Sequence, residues 1–364
     1  MDDPNAPLPC DPAVDESYTK SSASDRPRKR AGSKSASEAR EPRREGAPAK
    51  KSAAKARTQP ETGRGKAGVA GLPRTLGLSS DGWYRRKLSR RLAGVATCLF
   101  LTGIVSHVAL ATAPGQVVDT ILMEGTMRSA RHYDAFSTLI TGLVSVPVMV
   151  IAGTVVALVA AARRRPTLAG RALGAVIGAN ITTQILKEYV LTRPNLGVTT
   201  GAGNSLPSGH TTVAVTISLA LVVVAPKLFR SPSAWIGWAW SALMGVSVMM
   251  EGWHRPADVI TAVLIAGAWA LALSPIERRP RHGAQAQRVM VWICLGLVVV
   301  AIVATTAALW GLSTSAASPG SGYGFEDFLQ IRPWRSRVLG TAAVAWVSAV
   351  CGLVMHEVDR LAGE

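Results

Sequence analysis

The 364 residues carry 40 Lys and Arg against 23 Asp and Glu, a net charge of +17, with 48% hydrophobic residues and 4 cysteines. Half of the basic residues, 20 of the 40, fall in the first 90 positions, while the apolar residues gather after residue 91 in blocks of about 18–25, the length that crosses a bilayer as a helix. That division excludes the two or three soluble domains that length alone would allow, and Cys10, Cys98, Cys294 and Cys351, which have no redox or metal-ligand spacing, exclude a disulfide framework.

Residues 1–80 are rich in Ala, Ser, Pro, Gly, Lys, Arg and Glu and nearly free of aromatic and branched apolar residues. Such a segment buries too little surface to offset its ordering entropy, so a disordered tail is expected. Arg26-Pro27-Arg28-Lys29-Arg30 and Lys50-Lys51 could meet anionic lipid or nucleic acid. A solvated cytoplasmic tail is the simpler reading, and nucleic acid the less favoured partner. No apolar signal-peptide core stands near Met1, so insertion is expected to rely on internal spans. Trp83-Tyr84-Arg85-Arg86-Lys87 suits the cytoplasmic interface, where aromatic rings sit among headgroups.

The apolar runs then predict eight spans: Leu92–Ala113, Phe136–Ala162, Ala169–Leu191, His210–Ala225, Ala234–Trp253, Ala257–Pro275, Val289–Leu312 and Val338–Met355. Helices are expected, because the backbone must satisfy its own hydrogen bonds in lipid. The fold class is therefore all-α, a polytopic membrane helix bundle: a six-helix core over 81–275, a two-helix extension over 276–364, and a polar loop between the first two spans. Basic residues at Arg163–Arg171, Lys227–Arg230 and Arg278–Arg288 put those loops, with both termini, on the cytoplasmic side by the positive-inside bias. Arg332, Arg335 and Arg337, in the last outer loop, run against that bias.

Three polar clusters then share the opposite face. His254 and Asp258 are four apart, which on a helix puts them on one face, so that the carboxylate can hold one ring nitrogen and leave the other free as nucleophile or base. Pro207-Ser208-Gly209-His210 precedes an apolar helix. Ser208 can cap it, the amides at its start with Gly209 suit an anion, and His210 would stand beside a bound phosphate as a general acid. Asn180, Gln184 and Lys187 form a polar stripe expected to face the bundle, and Arg193 follows in the loop. A guanidinium can bind two phosphate oxygens at once, and Lys187 can add a point charge. A snorkelling Lys187, an ordinary capped helix, and a His and Asp that merely mark a helix start are the bland alternatives.

This constellation resembles the type 2 phosphatidic acid phosphatase superfamily of membrane lipid phosphatases. The matching residues are Lys187 with Arg193-Pro194, Pro207 to His210, and His254 with Asp258. The resemblance implies that 81–275 is a phosphatase core. It also implies that His254 attacks phosphorus to form a phosphohistidine, Asp258 orients it and His210 protonates the leaving group. Lys187, Arg193, Ser208 and Gly209 would hold the phosphoryl oxygens, and neither metal nor cofactor is required. The partner it implies is a lipid phosphate or pyrophosphate in the bilayer. Two departures stand out. The spacing from Lys187 to Arg193 is one residue shorter than usual, and Val248 occupies the position of the third motif's arginine. Arg255 is the candidate replacement. A phosphotransferase shares every motif, and Val248 leaves room for a non-catalytic lipid-binding relative.

Overall fold

The computed structural model describes residues 80–130, 146–162, 164–198, 203–276, 283–312 and 325–363. The tail expected to be disordered, residues 1–80, lies outside the described residues, Ser80 excepted.

Every regular element among the described residues is a helix: α1 (Ser80–Ala111), α2 (Ala113–Ala130), α3 (Val146–Ala162), α4 (Pro166–Ile185), α5 (Gly209–Val224), α6 (Lys227–Met250), α7 (Pro256–Leu273), α8 (Ala284–Leu309), α9 (Glu326–Ile331) and α10 (Trp334–Gly363). A π turn over Leu186–Val190 prolongs α4. All eight predicted spans meet a helix, although residues 136–145 of the second lie outside the described part. Among the described residues five helices (α1, α6, α7, α8 and α10) are long and apolar enough to cross a membrane, which makes this an integral membrane protein. At 16 residues, α5 is about 24 Å long against a hydrocarbon core of about 30 Å, and so falls short of that measure.

The centre of the bundle is α7, with 78% of its apolar window buried, against 17% for α1 and for α8. The outer helices turn Leu99, Phe100, Trp292 and Val299 outward, as a lipid-facing surface requires. Against α7 pack α1, α4, α5 and α10, and α10 also lies along α2, α6 and α8. The last helix of the chain is thus part of the central packing.

The polar stretch between the first two spans, expected to be a loop, is helix α2 as far as Ala130. Its polar residues do not face water. Gln116 Nε2 donates to the Leu110 and Pro194 carbonyls (2.7 and 3.0 Å), Thr126 Oγ1 donates to Leu122 O (2.8 Å), and Arg128 pairs with Glu124 (2.9 Å). Val117, Ile121, Leu122 and Met123 fill the rest of a helix buried on nearly every side. Polar groups satisfied in this way can be buried at little cost, and a reading based on hydropathy misses such a helix.

The contacts between helix termini define two ends of the bundle. At one, Arg90 grips Glu357 with two bonds (2.9 and 3.2 Å) and Gln287 donates to Asp359 (2.6 Å), joining α1, α8 and α10. The other end gathers the three polar clusters.

Candidate active site

Helix α6 ends at Met250, and the chain reverses through Glu251-Gly252-Trp253. Gly252 has φ +70°, a left-handed conformation that suits glycine. The amides of Trp253 and His254 both donate to Val248 O (3.0 and 3.1 Å), which fixes this turn. His254 and Arg255 therefore precede α7, Arg255 in extended backbone, and His254 does not share a helical face with Asp258, as the spacing of that pair suggested. Pairing comes instead from capping geometry. Pro256 opens the helix, Arg255 is its N-cap, and Asp258 in the first turn reaches back.

Asp258 is 1% exposed, and its Oδ2 accepts three hydrogen bonds: from His254 Nδ1 (3.2 Å), Ser205 Oγ (2.6 Å) and the Arg255 amide (2.9 Å). An ionised carboxylate only accepts, so the imidazole proton sits on Nδ1 and Nε2 keeps its lone pair. Arg255 in turn donates from its guanidinium to Ser205 Oγ (3.1 Å) and is 5% exposed. Ser205 therefore bridges Asp258 and Arg255.

The second cluster reaches this pair through the backbone: the Ser208 amide donates to Asp258 O (3.1 Å). Ser208 Oγ caps α5, accepting from Thr211 N (3.4 Å) as the sequence predicts. The nearest atom to a Cβ placed on Gly209 would be Gln184 Nε2, at 3.6 Å, so the start of α5 is uncrowded. His210 is exposed there, its ring tilted against Trp253 at 5.8 Å between centroids. His254 and Lys187 are both close enough to act electrostatically on it.

The first cluster joins through Asn204, whose Nδ2 donates to Leu191 O (2.8 Å) and Lys187 O (3.4 Å). Lys187 lies in the π turn, closed by Leu191 N donating to Leu186 O (2.8 Å). The shortened spacing between Lys187 and Arg193 thus falls where the helix is no longer α-helical. The stripe Asn180-Gln184-Lys187 does not face the bundle as expected. The packed face of α4 is Ala172, Ala175, Ala179 and Thr183, while Gln184 is exposed beside Gly209. Asn180 is satisfied within its own helix, its Nδ2 donating to Val176 O (2.7 Å), and need not turn inward.

Arg193 donates to Thr120 Oγ1 (3.3 Å) of α2. Burial, and next the neighbouring Arg255, pull its guanidinium down, while Asp119 and Asp258 oppose them. Two arginines are thus brought together from separate segments. Val248, at the position of the family's arginine, is 1% exposed among core side chains. Residue type had singled out Lys187, Arg193, Ser208, Gly209, His210, His254, Arg255 and Asp258, and all eight lie at this end. Sequence reasoning assigned no role to Ser205, Trp253, Thr120 or Asp119. The first two lie within the polar clusters and were legible as neighbours. The α2 pair had no local signal.

The arrangement can do definite chemistry: an oriented imidazole with a free nitrogen, a second imidazole across from it, and a group of cations and helix amides that suits phosphoryl oxygens. A profile of the PAP2 superfamily matches residues 92–281. No curated protein and no solved structure matches the chain. The profile covers more than half of the sequence and all three clusters, and the chain belongs to the PAP2 superfamily, phosphatases of lipid-like phosphates.

Proposed function

We propose that this protein hydrolyses a lipid phosphate or pyrophosphate, such as phosphatidic acid or a polyprenyl pyrophosphate, through a phosphohistidine on His254. The observation that carries the reading is the His254–Asp258 pair, fixed by Ser205 and Arg255 at the start of α7 and opposed by His210 at the start of α5. His254 Nε2 attacks phosphorus, and the bond from phosphorus to the lipid oxygen breaks. His210, protonated, gives its proton to that oxygen. Neutral His210 then takes a proton from water as the water attacks the phosphohistidine, releasing inorganic phosphate and restoring both rings. Asp258 stabilises the His254 cation. Arg193, Arg255, Lys187, Ser208 and the Gly209 amide hold the phosphoryl oxygens as charge redistributes.

The site opens on the extracytoplasmic side of the plasma membrane, with both termini in the cytoplasm. Arg164, Arg165, Lys227 and Arg230 at the opposite end of the bundle support this orientation. Arg335 at the site end is occupied structurally, stacked on Phe328 at 4.0 Å and donating to Trp310 O (3.0 Å), so it weighs little against the bias. In this orientation anionic lipid of the inner leaflet is the partner that suits the basic residues of the tail.

Phosphate release by the purified protein in detergent, from phosphatidic acid and from a polyprenyl pyrophosphate, tests the reading. His254→Ala is expected to lower release by at least about 10³-fold. Equal release by variant and wild type sinks it. A phosphorylated or phosphatidylated alcohol, formed when a free alcohol is added, would make the protein a transferase.

A further inference from the structure

One charged group at the site belongs to no signature motif. Asp119, on α2, is 6% exposed, and its Oδ1 accepts from the amide of Ala257 in the first turn of α7 (2.9 Å). Its Oδ2 is buried without a hydrogen-bond partner, as is Arg255 Nε. The next residue, Thr120, receives Arg193. Asp119, the two guanidinium groups and the Asp258 carboxylate are close enough to act on one another electrostatically. Satisfied buried polar groups are the rule, so an orphaned carboxylate oxygen beside two arginines calls for a function.

We propose that Asp119 is a positioning residue of the phosphate site: a resident counter-anion that holds Arg193 and Arg255 together before substrate binds and takes up a proton when a phosphoryl group replaces it as their anion. This rests on the reading of those two arginines as the phosphate ligands. Two anions cannot both be ionised against the same cations without repulsion, so the arriving phosphate and the Asp119 carboxylate compete. Burial, with the Asp258 charge next, already raises the Asp119 carboxyl from 3.8 to about 7, opposed by the Ala257 amide and by Arg255 and Arg193. Hence only a small further push protonates it near neutrality. The proton then leaves an uncharged acid that still accepts from Ala257 and can donate from Oδ2. Asp258 and His254 face the same volume from the start of α7. The titratable groups at this end of the other helices packed on α2 are His107 of α1, Glu251 after α6, and Arg335 and Arg337 of α10.

Sulfate is the probe, because it stays a dianion across the range in which phosphate itself titrates. Calorimetry of sulfate binding to the full-length protein in detergent, from about pH 6 to pH 8, reads the competition. Wild-type affinity falls with rising pH; in Asp119→Asn it falls less, and that variant binds about tenfold more tightly at the upper pH. The histidines contribute equally to both proteins, so the difference between them belongs to residue 119. Identical affinity and slope in the two proteins overturns the proposal and leaves Asp119 a helix cap only. Infrared difference spectra of the wild type, with and without sulfate near pH 7.5, give a second reading independent of any variant. A protonated-carboxyl band grows on binding, and its absence also overturns the proposal. Arg193→Ala and Arg255→Ala separate the two levels. Loss of sulfate binding in both, with no effect of Asp119→Asn, rejects the counter-anion alone. Unchanged binding in both rejects the phosphate site, and the counter-anion with it.

Discussion

Arg255 occupies a position that spacing alone would have ruled out. Neighbouring residues on a helix point about 100° apart, so an arginine directly after His254 should face elsewhere. It does not, because residues 254 and 255 precede the helix and Arg255 is its extended N-cap (φ −86°, ψ 161°). From there it reaches Ser205 and the region of Arg193 and Asp119. Arg255→Ala is therefore expected to lower kcat by about 10²–10³-fold, the usual loss on removing one donor to a developing anion. Ser205→Ala, which removes a neutral bridge worth about 1–2 kcal/mol, lowers it by about tenfold. Steady-state phosphate release across the two variants measures both, and an Arg255→Ala enzyme with wild-type kcat excludes it as the substitute for the arginine missing at Val248. The residue types were legible, since a cation, an acid and two histidines at a membrane border have few other uses. Their mutual arrangement was not, because it depends on a turn whose geometry is set by the Val248 carbonyl and Gly252.

At the scale of elements, α2 is the part that periodicity concealed. Its buried polar residues broke the apolar run that marks a span, and their partners are distant in sequence, as with Gln116 and Pro194. The helix is locked to α10 by close approach. A Cβ on Gly125 would lie 2.5 Å from Leu339 Cβ and 3.2 Å from Ser336 O, and Ser129 Oγ donates to both Gly125 O (2.8 Å) and Ser336 O (3.0 Å). Gly125→Val forces the two backbones apart and is expected to destabilise the protein by about 1–3 kcal/mol. Activity falls with it, since α2 carries Thr120 and Asp119. Gly103→Ala, where nothing lies within 4 Å of the added carbon, leaves both unchanged. Thermal unfolding in detergent, followed by tryptophan fluorescence, compares the two; an unaltered midpoint in Gly125→Val removes the packing argument. The last span was legible as a helix and not as part of the core. With α9 and α10, α2 and α6 wall a cavity of about 970 Å³ at the site end, lined by Arg128 and Arg337 among apolar side chains.

For the whole molecule, orientation is the property that charge on the loops predicts and that chemistry depends on. In intact cells, a cysteine replacing exposed Asn195, in the loop carrying Arg193, is expected to react with a membrane-impermeant maleimide. One replacing exposed Phe229, at the other end, reacts only after permeabilisation. Cys98, Cys294 and Cys351 are buried and give little background, and Cys10 is replaced by Ser in both variants. The reverse pattern of labelling inverts the protein and moves the site to the cytoplasm. The sequence by itself determined the helical membrane architecture, because spanning length and hydropathy are additive along the chain. It also determined the residue types of the site, because ionisable groups in lipid are too costly to be incidental. Only the tertiary structure decided that Asp258, while capping α7, also binds His254, that Arg255 comes near Arg193, and that α2 brings Asp119 to the first turn of α7. The first depends on how the turn after α6 ends, and the other two on contacts between residues far apart in sequence, which no local pattern encodes.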